Sequence, residues 1–490
     1  MQFNRYVFIT TLLVFAGVIT AIVEPTLAER PLLPNLQPFP NRSGILQTFN
    51  SNGDALDLTG PFFQSLGTNG RACVSCHQPD QGWTISAEGV QDRFNTTKGT
   101  DPIFRTNDGS NCDHHVDTST VEGRKQAYSL LTSRGLIRIA IPVPANAEFT
   151  VENVMNSYGC DETDVLSMYR RPLPATNLRF ISAVMWDGRE SAPQTGTQRI
   201  VYETSNPGSI LMADLAHQSV DATLGHAQAA VAPTAAQQAA IVDFELAMST
   251  AQAFDFNAGT LDDNGATAGP VTLSAQRFFI GINDPIDPLN NVLNRPDLGF
   301  NPFHDPFTPV IYDLFDSWTA PQPSNSAVSK ARASIARGQA LFNSRPIDIA
   351  GVSGLNDEIG IAVLRGSCGT CHDSPNVGNH SFPTPLNIGV GDLTSPLDVG
   401  YLPVITLRHK TAPFEVVQTT DPGRALITGK WSDIGRVKGP VLRALASRAP
   451  YFHNGSAATL LEVIEFYDKR FGIHFTAEEK ADLVAFLSAL

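Results

Sequence analysis

Cys73-Val74-Ser75-Cys76-His77 is the stretch from which this chain is read. Two cysteines three positions apart, with a histidine directly after the second, form the c-type haem attachment signature. The spacing has a physical reason. One helical turn sets the two thiols beside the two vinyl groups of a single porphyrin, and each forms a thioether. The imidazole of His77 is then held under the iron as its proximal ligand. The device recurs at Cys368-Gly369-Thr370-Cys371-His372. A zinc site would need four ligands, and a redox dithiol would not need the histidine. The repeat therefore predicts two covalently bound haem c groups. Cys73, Cys76, Cys368 and Cys371 attach them, and His77 and His372 are the metal ligands.

The bulk numbers set bounds around those motifs. At 490 residues the chain has room for two or three domains, each with its own core. Charged residues make up 17% of it, and the net charge is −14. That balance argues against nucleic acid, whose binders carry basic patches. It suits a basic protein partner, such as a small cytochrome c. Residues 1–28 read as an export signal: Arg5 supplies the charge, Val7 to Val23 is apolar, and Thr26-Leu27-Ala28 offers small residues for cleavage. The apolar run is slightly long for a signal and slightly short for a spanning helix, so an uncleaved anchor is the competing reading. The expected location is periplasmic or secreted, with no membrane contact after signal cleavage. Of the six cysteines, four belong to the haem motifs. Cys112 and Cys160 remain, an even pair in an exported chain, and are expected to form a disulfide.

In chain order, residues 29–58 are rich in Pro and Asn and read as an extended arm. Residues 78–168 are polar and weakly periodic, which predicts long loops around the first haem, with His114 and His115 among them. Thr234 and Gln237 form a capping box, and Ile241, Phe244 and Met248 follow at helical spacing, so 234–254 reads as an amphipathic helix. Prolines crowd the region from Asp284 to Ser324, which reads as a linker or inserted lobe. A helix over 327–342 precedes the second motif. Two helices close the chain: Leu460, Val463, Ile464, Tyr467 and Phe471 share one face of the first. Thr476 and Glu479 cap the second, whose face carries Leu483, Phe486, Leu487 and Leu490. The expected fold is mainly α, with a haem domain over 59–255, a Pro-rich connector over 256–325 and a second haem domain over 326–490.

Three further stretches carry a family resemblance: Met185-Trp186-Asp187-Gly188-Arg189, Ala449-Pro450-Tyr451-Phe452-His453-Asn454-Gly455-Ser456, and Thr459-Leu460. With the two haem motifs they resemble the bacterial di-haem cytochrome c peroxidase superfamily, which includes the maturation enzyme of methylamine dehydrogenase and the rubber oxygenases. The likeness covers about 60–87, 170–254 and 331–490. The separation of His77 from His372 is long for the peroxidases, so the chain resembles a divergent member with insertions. The resemblance implies two cytochrome c-like domains whose haems face a shared interface. The N-terminal haem, on His77, is then the site of oxidant chemistry, and the haem on His372 receives electrons. Trp186 matches the tryptophan between the haems; the competing reading is a core Trp that supports the Asp-Gly turn.

The resemblance also proposes distal residues. Tyr467 aligns with the second axial ligand of the C-terminal haem, with His453 and His474 as rivals. No histidine lies between His77 and His114, so the active haem is either open or capped by His114 or His115. Gln218 fits the family's distal glutamine. The family's glutamate is absent, and His226 or Gln228 stands near its place. An imidazole titrates near neutral pH and can shuttle a peroxide proton, so His226 is the candidate acid–base group. The family's interface calcium has an asparagine ligand where this chain has Arg171, so the resemblance implies the two haems and leaves calcium open. The leading functional reading is reduction of hydrogen peroxide with electrons from a small donor protein. An oxygenase using dioxygen and a non-enzymatic electron carrier are the alternatives, and an absorption spectrum with and without peroxide separates them.

Overall fold

The computed structural model describes residues 31–193, 200, 207–281, 283, 286–287, 292–293, 308–319 and 326–490. The expected signal at 1–28 and much of the expected connector lie outside these residues. The architecture is mixed rather than mainly α: about 33% of the described residues are helical and 18% are in strands. Strand β1 (Gly44–Asn50) is followed by helix α1 (Ala87–Thr97), then by β2 (Ile137–Pro142), β3 (Phe149–Met155) and β4 (Val165–Arg170). Next come α2 (Pro207–Gly225), α3 (Ala235–Ala247) and β5 (Met248–Asp255). The C-terminal half contributes α4 (Ala327–Ser344), β6 (Val404–His409), β7 (Val416–Thr419), α5 (Leu460–Phe471) and α6 (Ala477–Ser488).

The strands explain where the helical expectation failed. The capping box at Thr234 and Gln237 does start α3, but the helix stops at Ala247. Met248–Asp255 runs on as β5, antiparallel to β1, with Asn50 opposite Met248 and Gly44 opposite Asp255. β1 alternates buried and half-buried positions, the period of a strand with one face inside. The segment expected as an extended arm is thus a sheet strand. Its buried Thr48 hydroxyl hydrogen-bonds that of Thr250 at 2.9 Å, which in turn meets Thr176 at 2.7 Å.

The polar stretch 78–168 holds more than loops. Ser86 caps α1 by accepting from the Gly89 N–H at 3.0 Å. β2 pairs with β4, and β3 pairs antiparallel with β6, which also pairs with β7. The last sheet therefore takes strands from both halves of the chain. Its core mixes Phe149, Val154 and Met168 with Ile405, Leu407 and Leu426. Beside it, the buried Arg170 guanidinium reaches Asp421 through Nε at 2.6 Å and Nη2 at 2.8 Å, and bonds Asp187 through Nη1. This two-pronged charged contact also spans the halves.

The closing helices follow the expected pattern. Leu460 and Ile464 of α5 pack with Leu483, Phe486 and Leu487 of α6 against Ile335 and Phe342 of α4. α4 and α6 come so close that a Cβ on Gly338 would sit 2.0 Å from the carbonyl oxygen of Asp482. Among the described residues no helix is long and apolar enough to cross a membrane.

Candidate haem sites

The first motif folds as a single 3-10 turn over Cys73–Ser75. The N–H groups of Cys76 and His77 both donate to the Cys73 carbonyl, at 3.1 and 3.0 Å, so the turn brings both thiols and the imidazole to one side. His77 Nδ1 lies 2.9 Å from the Trp83 carbonyl, which makes it the donor and leaves Nε2 as the free ligand nitrogen. Trp83 is itself pinned by its indole N–H to Thr48 Oγ1 at 2.8 Å, so β1 buttresses the proximal ligand. Burial lowers the His77 imidazole to about 4, which keeps its lone pair available at neutral pH. Burial also pushes the Cys73 thiol up to about 12.

The second motif repeats this construction over Cys368–Thr370. His372 N–H donates to the Cys368 carbonyl at 3.1 Å, and its Nδ1 lies 2.7 Å from the Gly378 carbonyl. Burial again lowers the imidazole to about 4. Each motif opens on a cavity, of about 160 Å³ at His77 and about 230 Å³ at His372. Two unbridged thiols, a histidine whose outer nitrogen is fixed by a carbonyl, and an apolar cavity in front of them fit a covalently attached porphyrin at both places.

The wall between the cavities is shared. Arg171, Pro172, Leu173, Pro174, Trp186 and Lys438 line both. Trp186 donates its indole N–H to the Arg171 carbonyl at 2.7 Å, and its ring centroid lies 6.1 Å from that of His453. The turn after it is anchored separately. Asp187 is fully buried and ion-paired with Arg170 and Arg189. Burial would raise its carboxyl, but the two guanidinium groups hold it well below the usual range.

Gln218, on α2, and His226, just past its end, line the His77 cavity. His226 Nδ1 is hydrogen-bonded to Asp108 Oδ2, and Asp108 is ion-paired with Arg71, two residues before Cys73. Burial would raise the Asp108 carboxyl, but His226 and Arg71 outweigh it and hold the group below the usual range. The loop before the motif presses onto this corner: a Cβ on Gly67 would sit 1.9 Å from the Ala227 carbonyl oxygen. Gln228, the alternative to His226, is exposed, stands outside the cavity lining and accepts from Asn69 at 3.2 Å. His114 and His115 are also exposed and outside it. They sit next to the disulfide that joins Cys112 to Cys160, as the cysteine count predicts.

In the other cavity, Tyr467 and His453 both line the wall, and the exposed His474 does not. The Tyr467 ring centroid is 6.4 Å from that of His372, and burial raises its hydroxyl well above the ordinary value. His453 is lowered to about 4 by burial and has no hydrogen-bond partner at Nε2. The residues at position 171 do not fit calcium. The Arg171 guanidinium donates to the carbonyls of Ile85, Arg134 and Arg448 and offers no oxygen.

Four residues of these cavities escaped the sequence reading: Arg71, Asp108, Glu245 and Lys438. Glu245 was the most detectable. It stands four residues after Ile241 on the buried face of α3, and burial pushes its carboxyl up to about 8.

No protein-family model matches the chain. The cytochrome-c peroxidase IdrP1 of Denitromonas iodatirespirans is 29% identical over 195 residues, 36% of this chain and 44% of that protein. The cytochrome-c peroxidase IdrP2 of the same organism is 32% identical over 136 residues, 26% of this chain and 36% of that protein. The cytochrome c551 peroxidase of Nitrosomonas europaea is 30% identical over 139 residues, 27% of this chain and 34% of that protein. The chain thus matches less than half the length of these relatives. Among solved structures, a MauG-like protein associated with microbial copper homeostasis aligns over 88% of this chain and 85% of its own, with a TM-score of 0.37 and 16% identity. In its paired Cys-x-x-Cys-His motifs and over 26–36% of its length, the chain is similar to these cytochrome c peroxidases.

Proposed function

We propose that the chain is an exported di-haem peroxidase that reduces hydrogen peroxide at the His77 haem, with electrons supplied through the His372 haem by a small donor protein such as a cytochrome c. The observation that carries this reading is the His226–Asp108 pair in the wall of the His77 cavity. When bound, the haem supplies redox-active iron with a position at which peroxide can bind. Peroxide reduction to water also needs a group that takes a proton from one oxygen and returns it to the other. With Nδ1 committed to Asp108, His226 keeps Nε2 for that transfer. Asp108 holds the tautomer and steadies the imidazole while it is charged, and Arg71 holds Asp108.

Gln218 offers an amide to orient peroxide in the same cavity. Trp186, in the wall common to both cavities, shortens the path that electrons must cross. Tyr467 would help to hold the iron of the C-terminal haem, where a phenolate would favour the oxidised metal. The apolar remainder of each wall keeps water away from the oxidising centre. The deciding experiment mixes holoprotein with peroxide and a reduced small cytochrome c. Oxidation of the donor that depends on His226 supports the proposal; a protein inert to peroxide refutes it.

A further inference from the structure

Lys438 has its side chain in the wall shared by the two cavities, and it is more than nine-tenths buried. An ammonium carries three donors. One goes to the Ala183 carbonyl at 3.0 Å, and among the described residues the others meet no acceptor. Among the described residues it has one hydrogen-bond partner, that carbonyl, and is in no ion pair with a carboxylate. Burial alone pulls the group down to about 7.

Its surroundings make the charge harder to explain within the protein. Among the described residues the His372 cavity is lined by the side-chain cations Arg171, Lys438 and Arg448 and by no aspartate or glutamate. Arg171 is spent on backbone carbonyls. Arg448 gives Nη2 to the Val441 carbonyl at 2.8 Å, and its buried Nε has no partner. In the His77 cavity the acidic groups are Asp108, already paired with Arg71, and Glu245, whose carboxyl burial favours in the neutral form. A cation buried without a partner is costly and calls for an anion.

We propose that Lys438 is the shared counter-ion of the two haems, taking a porphyrin carboxylate from each cavity, while Arg448 serves the C-terminal haem alone. This rests on the reading that both motifs carry haem. It adds an electrostatic link between the cofactors beside the Trp186 wall. The backbone N–H of Lys438 donates to the Trp186 carbonyl at 2.8 Å, so the link and the indole belong to one rigid piece.

The test is redox titration of the holoprotein without peroxide, after intact mass has verified two haems. Losing a nearby cation disfavours the reduced iron. Lys438→Met should therefore lower both midpoint potentials, Lys438→Arg should restore them, and Arg448→Met should lower only the C-terminal one. The Cys368→Ala/Cys371→Ala protein, which keeps the N-terminal haem alone, assigns the potentials. Potentials that stay in place, or a single one that moves in Lys438→Met, overturn the proposal. A mass with fewer than two haems in the parent protein instead overturns the di-haem reading. Should Lys438→Met fail to mature, resonance Raman of the parent and Lys438→Arg proteins decides: the carboxylate bending bands of both haems should shift, and unchanged bands overturn it.

Discussion

His226 and Asp108 are 118 positions apart in the chain, yet the imidazole Nδ1 is hydrogen-bonded to the carboxylate Oδ2 in the wall of the first haem cavity. The pair acts as one unit, so its two members should not contribute independently. His226→Ala should slow peroxide-driven haem oxidation by about a hundredfold or more, the scale of lost acid–base help. Asp108→Asn should slow it as well, and the double variant should be no slower than His226→Ala alone. Stopped-flow spectra of the variants, with haem content checked, measure this. Additive losses would separate the two residues.

The second motif should be separable from the first. Replacing Cys368 and Cys371 with alanine should leave one covalent haem by intact mass. Two remaining haems would show that these cysteines do not attach a porphyrin.

Tyr467 belongs to that same second site. Tyr467→Phe should raise the potential of the C-terminal haem or change its spin state, and leave the other haem's spectrum unaltered. An unchanged spectrum and potential would direct attention to His453, which lines the same cavity.

Acid should loosen the join between the halves. Asp187 and Asp421 are held below the ordinary carboxylate range by guanidinium partners that outweigh the effect of burial. Groups with a depressed folded-state value contribute stability above the unfolded value, near pH 4, and lose it as pH falls through the folded one. Thermal melting should therefore fall steeply only below about pH 4. Asp421→Asn should cost about 3–5 kcal/mol at neutral pH, because it strands part of a buried charge. A melting temperature unchanged from the parent's would contradict this.

The disulfide encloses 48 positions of chain. In the chain-entropy account, its removal should cost about 4 kcal/mol. Denaturant unfolding of the Cys112→Ser/Cys160→Ser protein, compared with the parent under oxidising conditions, measures it.

What the sequence revealed was local. The turns at the two Cys-x-x-Cys-His stretches read directly, because their geometry is set within one turn of chain. The capping boxes at Thr234 and Thr476 read equally well, since each is closed within four residues. The Cys112–Cys160 pairing followed from counting. What stayed hidden depends on distant partners. β5 looked helical because its residues continue the apolar pattern of α3, and only β1 across the sheet makes it a strand. Asp108 sits in an unremarkable polar stretch until α2 ends beside it. Lys438 is one of eight lysines, unmarked until two cavities enclose it.

The pairing of β3 with β6 bears on how the chain holds together once it is cut. Backbone from either side of the long intervening segment is stitched into one ladder, and the Arg170–Asp421 contact rivets it. Cleavage between Gly281 and Ser326 would therefore yield two fragments that migrate together in native electrophoresis and part only in denaturant. In such a molecule the shared ladder holds the two halves together without the segment that joins them in sequence.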